Sequence, residues 1–84
     1  MTWRLSNRAE ADLDHIYDTG AETFGIDVAE RYVRGLFKVF ELISNTPHMG
    51  RVRVGHQLTA RVLPHGSHVI LYRIEEDATV TILR

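Results

Sequence analysis

The residues best equipped for chemistry lie in the second part of the chain: Arg51, Arg53, His56, Arg61, His65, His68, Tyr72, Arg73 and Arg84. Arginines stabilise the charge of a phosphorane, and a histidine or tyrosine moves protons, so this set suits metal-free cleavage of RNA. In that reading Arg61, His68, Tyr72, Arg73 and Arg84 carry the reaction. The same set suits recognition of an acidic protein segment. A third reading is plain: strand arginines on an open sheet face, with hydrated guanidinium groups. A glutamate or lysine base close by would favour the nuclease. Glu75, Glu76 and Asp77 read as solvated turn residues, and no lysine follows Lys38.

Other chemistries find no support. The six glycines are scattered and form no phosphate loop. No H-E-x-x-H or other zinc spacing occurs. His65 and His68 are three apart across a turn with no third ligand in view, so neither a metal nor a cofactor is expected. There is no nucleophile elbow and no Ser/His/Asp order.

Eighty-four residues make one domain, 1–84. A chain of this size buries only roughly 60–65% of its unfolded surface, which leaves a thin stability margin. Without cysteine there is no disulfide framework and no thiolate metal site. No stretch approaches the roughly 20 apolar residues of a membrane span, and no signal-peptide pattern is present. A soluble cytoplasmic protein is the expectation. Residues 1–50 hold five Lys/Arg and eight Asp/Glu, whereas residues 51–84 hold five Arg and three acids. An acidic front and a basic, histidine-rich back suggest two faces with different partners. The imbalance is too small for strong non-specific binding of nucleic acid.

The elements that must position these residues read as β-α-α-β-β-β. Thr2–Leu5 alternates as a short edge strand, and Ser6 offers an N-cap to a helix from Arg8 to Phe24. Its apolar stripe contains Gly20, which either allows a close approach of the next helix or is simply tolerated there. Glu10, Asp14, Asp18 and Glu22 recur every fourth residue on the opposite face. They form either a solvated face or a landing strip for a basic partner. Gly25 ends this helix as a left-handed C′ residue, and Asp27 opens the next with Glu30 completing a D-x-x-E capping box. Asp27 with Arg31 and Glu30 with Arg34 are favourable i,i+4 pairs. The second helix runs to Asn45, and Pro47 confirms the stop. Val28, Phe37 and Val39 widen its apolar arc to nearly 180°; either one neighbouring helix and one sheet cover it, or the remainder is an exposed apolar strip for a partner.

Thr46–Gly50 is loop, Arg51–Val54 a short strand or an extended connection, broken by Gly55, and Gln57–Leu63 a strand. Pro64-His65-Gly66 then turns into Ser67–Ile74. That strand is apolar on both faces, with Val69 and Leu71 pointing one way and Ile70, Tyr72 and Ile74 the other. It is expected to be central to the sheet, or to have a covering partner on each side. An acidic turn over residues 75–78 leads to a last strand, Thr79–Arg84. The fold class is α+β, an antiparallel helical hairpin on one face of a small, mostly antiparallel sheet.

Several motifs carry a family resemblance. Ala11-Asp12-Leu13-x-x-Ile16-Tyr17, then Phe24-Gly25-x-x-x-Ala29-x-x-Tyr32-x-x-x-Leu36, Pro47-x-x-Gly50-Arg51, His68-x-x-x-Tyr72-Arg73 and Ile82-x-Arg84 resemble, in this order, the ParE toxins of the ParE/RelE superfamily. The resemblance covers nearly the whole chain. It implies a toxin of a type II toxin–antitoxin module with a ParD-like antitoxin, which has a DNA-binding ribbon-helix-helix part and a tail that wraps the toxin. It implies DNA gyrase as the target; in RelE members the activity is ribosome-dependent mRNA cleavage. The Asp12-Leu13-x-x-Ile16-Tyr17 and Tyr72-Arg73 patterns, and the lack of a late lysine, look more like ParE than RelE. An antitoxin tail that orders on binding would use Val28, Phe37 and Val39 for its apolar residues and Arg61 and Arg73 for its acids. A non-toxic antitoxin-binding module is the remaining alternative. Family members usually continue past the equivalent of Ile82-x-Arg84, so the chain also reads as a C-terminally shortened toxin.

Overall fold

The computed structural model describes residues 3–54 and 59–84; Gly55, His56 and the first two residues of the expected Gln57–Leu63 strand lie outside them. Strand β1 (Trp3–Leu5) leads at once into helix α1 (Asn7–Phe24). Ser6 makes the junction. Its Oγ accepts from the Ala9 N–H at 3.0 Å and donates to the Leu83 carbonyl at 2.9 Å. Its own N–H donates to the Ile82 carbonyl at 2.9 Å. One residue therefore caps a helix, as its type predicts, and ties both chain ends together.

Gly25 alone separates α1 from helix α2 (Ile26–Asn45). Its φ of 95° and ψ of 160° lie outside the left-handed helical region expected of a C′ residue, in an extended region essentially restricted to glycine. The Gly25 N–H donates to Ala21 and the Gly25 carbonyl accepts from Ala29. Because this one residue closes one helix and opens the next, α2 begins at Ile26 and the expected D-x-x-E box does not form. Glu30 instead pairs with Arg34 at 3.4 Å, and the expected Asp27–Arg31 pair is absent among the described residues. Gly20 does face Ala29, but an added methyl would sit 3.4 Å from the alanine Cβ, an ordinary contact. The close approach is real and does not demand glycine.

A 3₁₀ turn (Pro47–Met49) follows α2 and leads into β2 (Arg51–Val54), β3 (Thr59–His65), β4 (His68–Ile74) and β5 (Val80–Ile82). The five strands lie in the order β1-β5-β4-β3-β2, antiparallel except for the parallel β1–β5 pair. The turn before β4 is shifted from its expected place: β3 continues through Pro64 to His65, and Gly66, at φ 59°, bends the chain.

Strand β4 is central, but only one face is covered. Ile70 and Tyr72 are buried beneath the helices, whereas Val69 is 60% exposed. A single helical hairpin can cover one face of a sheet, and the hydrophobicity of Val69 and Leu71 does not supply a second layer. The core joins Ala9 of α1 and Leu36, Phe40 and Ile43 of α2 to Ile70, Tyr72, Val80 and Ile82 of the sheet. The wide apolar arc of α2 is not fully used: Val28, Phe37 and Leu42 remain well exposed, and Val39 is half-buried.

Candidate partner-binding surfaces

Tyr72 lies on the helix-covered face with none of its surface exposed. Its hydroxyl donates to the Pro47 carbonyl at 2.7 Å and accepts from the Gly50 N–H at 2.9 Å. Arg61, the cross-strand neighbour of Tyr72, donates to the carbonyls of Gly50 (2.8 Å) and His48 (3.2 Å). Together they clasp the turn that joins α2 to β2. Gly50 is required there, since a Cβ would stand 2.5 Å from the Tyr72 oxygen. The hydroxyl that a nuclease would use to move a proton is thus committed to two backbone groups.

Arg73, one residue on, points to the uncovered face because side chains alternate along a strand. Its guanidinium grips Glu75 through three contacts of 2.9 to 3.3 Å. Thr81 donates to the same carboxylate, and Arg4 stands 3.7 Å away. The hydrogen bonds from Arg73 and then Thr81 lower the Glu75 pKa from its ordinary value. Glu75 is therefore an anchor of the open face rather than a solvated turn acid. Asp77 has a smaller duty: it accepts from the Thr79 hydroxyl and N–H, which lower its pKa.

His68 lies at the opposite end of β4 from Arg73. Its Nδ1 shares a 2.6 Å hydrogen bond with the hydroxyl of Tyr32 on α2, which also donates to the His65 carbonyl at 3.4 Å. Burial raises the Tyr32 pKa. This pair forms one wall of a groove of about 330 Å³, otherwise lined mainly by Ile16, Gly20, Phe24, Val28 and Ala29. Phe24 is 68% exposed at its rim.

The nuclease candidates do not converge. Tyr72 and Arg61 hold a turn, His68 closes a groove at the far end of β4, Arg73 is on the other face, and Arg84 is exposed at the end of the chain. The binding candidates are spread as well. Val28 lines the groove beside Tyr32, Phe37 lies on the other flank of the hairpin against Trp3, and Val39 packs on the core. Tyr32, Phe24 and Glu75 were missed by sequence reasoning. Phe24 falls on the apolar stripe of α1 and was expected to be buried; its place next to Gly25, where the bend of the hairpin stands clear of the core, explains its exposure.

The molecule is thus a helical hairpin on one face of a five-stranded sheet, with the N-terminal strand parallel at one edge. A solved structure described as the chromosomal ParDE TA system from P. aeruginosa matches it with a TM-score of 0.81 at 23% identity, over 100% of this chain and 91% of that one. A family model described as ParE toxin of type II toxin-antitoxin system, parDE, matches residues 3–84. The chain belongs to that family. It is similar to Toxin ParE1 of Caulobacter vibrioides, 38% identical over 72 residues that span 86% of this chain and 75% of that protein. It is similar also to Toxin ParE1 of Mycobacterium tuberculosis, 33% identical over 84 residues that span 95% of this chain and 82% of that protein. As a toxin of a toxin–antitoxin system, the protein has an antitoxin as partner. No helix among the described residues is long and apolar enough to cross a membrane.

Proposed function

We propose that this toxin inhibits DNA gyrase through protein–protein contact, without catalysing a reaction, and is neutralised by a ParD-like antitoxin. The observation that carries this reading is the commitment of Tyr72. A general acid or base must reach the proton it transfers, and this hydroxyl is buried with its donor and acceptor capacity spent on Pro47 and Gly50. The separation of Arg61 and His68 from Arg73 supports it further. The antitoxin tail covers the groove at Val28 and the flank of α2 at Val39, passes β3 at Arg61, and reaches Phe37 and Arg73 by wrapping. Segments that order on binding cover scattered positions of this kind.

The test is growth arrest on expression, with and without the antitoxin, followed by supercoiling with purified gyrase. Arrest relieved by the antitoxin, with loss of supercoiling, is expected. Arrest with normal gyrase and cleaved mRNA on translating ribosomes would replace this reading with the RelE-like one. Antitoxin binding without arrest would leave a binding module. Charge reversal at Arg61 and Arg73 together is expected to weaken antitoxin binding; unchanged affinity would remove these two residues from the site.

A further inference from the structure

The flank of the hairpin opposite Tyr32 carries a second groove, of about 300 Å³, whose chemistry differs from the first. Leu5, Leu13 and Val33 line it with aliphatic surface, and Tyr17 and Phe37 add aromatic residues. Glu10 and Asp14 of α1 line the same groove. The Phe37 ring is held in place: it stacks on Trp3 with centroids 5.8 Å apart and planes 24° apart, and meets Phe40 edge-on at 6.0 Å. Trp3 is fixed in turn by a 2.8 Å hydrogen bond from its indole N–H to Glu41. Phe37 nonetheless keeps 39% of its surface exposed. Among the described residues, neither Glu10 nor Asp14 has a cationic partner within ion-pair distance.

Apolar walls, two aromatic rings and two uncompensated carboxylates are the complement of one kind of side chain. An arginine places its aliphatic stem on apolar surface, stacks its planar guanidinium on an aromatic ring, and donates its outer N–H groups to carboxylates. The geometry points to this groove as the docking site for an arginine presented by a helix of a partner protein. Glu10 and Asp14 are one turn apart, about 6 Å along α1, so two arginines four residues apart on the partner's helix match them. The acidic strip continues through Asp18 and Glu22 and provides longer-range attraction. Lysine fits less well, because it lacks the planar face.

The probe is a short alanine-based helical peptide with two arginines four residues apart, titrated into the labelled full chain and followed by amide chemical shifts. Shifts are expected at residues 10–17 and 33–37 and near Leu5. Glu10→Gln with Asp14→Asn is expected to weaken binding about three- to tenfold, as is replacing the peptide's arginines by glutamine. Both residues are exposed, and the double variant is expected to keep the thermal melt of the parent. Phe37→Leu, checked for an unchanged fold by its thermal melt, should weaken the arginine peptide and narrow its advantage over a lysine peptide. Shifts confined to residues 18–22 or to the sheet would overturn the assignment. So would equal affinity of the parent and the double variant, or of the arginine and glutamine peptides.

Discussion

The two faces of the sheet use the same residue types for opposite ends. On the covered face, Tyr72 and Arg61 turn their polar groups onto a backbone turn and lock it. On the open face, Arg73, Arg4 and Thr81 surround Glu75 within reach of water. Tyr72 and Arg73 are adjacent in the chain and separated by the thickness of the sheet. A pair that reads as one motif is therefore two unrelated contacts. The lesson is one of period: in a strand, neighbours in sequence never share a face, so a reactive constellation has to be sought at alternate positions or across strands.

The strongest way to break this comparison is to substitute the two neighbours separately. Tyr72→Phe keeps the buried ring and leaves the Gly50 N–H and Pro47 carbonyl without their partner, which should cost about 1–3 kcal/mol. Arg73→Gln should cost far less, since its contacts are half-exposed. Urea midpoints for both variants decide the matter; equal losses would mean that the open face matters as much as the core. Gly50→Ala should resemble Tyr72→Phe or exceed it, because the ring and the new methyl cannot share the space.

A smaller effect concerns acid. Glu75 has a lowered pKa in the folded state, so the stability it contributes is present above the unfolded value of about 4.3 and is lost as pH falls through the folded value. Glu75→Gln should therefore be less stable than the parent near neutrality and converge with it in strong acid. Urea midpoints as a function of pH check this; a gap that persists in acid would show that the carboxylate charge is not the cause.

The smallest expected effect has the opposite sign. Ala78 holds φ at 69° in the loop between β4 and β5, a place where glycine is at ease. Ala78→Gly should raise stability by up to about 1 kcal/mol, less the entropy that glycine adds to the unfolded chain. A lower thermal midpoint for this variant would show that the loop is not strained.

Much of the fold was legible because it rests on local signals. Ser6 before an apolar stripe, Gly25 between two helical patterns, and the alternation along β4 each have a short-range cause. The coverage of β4 was not legible: Val69 and Leu71 are as apolar as Ile70, and only the number of helices decides which face is covered. The capping box at Asp27 failed because the two helices share a single junction residue. The site was less readable still. Tyr32 meets His68 across 36 residues of chain, and Tyr72 meets the Pro47 carbonyl across 25. Glu75 is drawn from its turn by Arg73 and by Thr81 of the next strand. Contacts of this kind depend on register, which residue types alone do not reveal.

Under the proposed function, the histidine and arginine of the His68-x-x-x-Tyr72-Arg73 motif perform no chemistry. This is tested most directly with the double variant His68→Gln, Arg73→Gln beside the parent, both verified as folded and added to purified gyrase and, separately, to translating ribosomes. Both proteins are expected to abolish supercoiling, and neither is expected to cleave mRNA. Cleavage by the parent that is lost in the double variant, with supercoiling untouched by either, would contradict the proposed function.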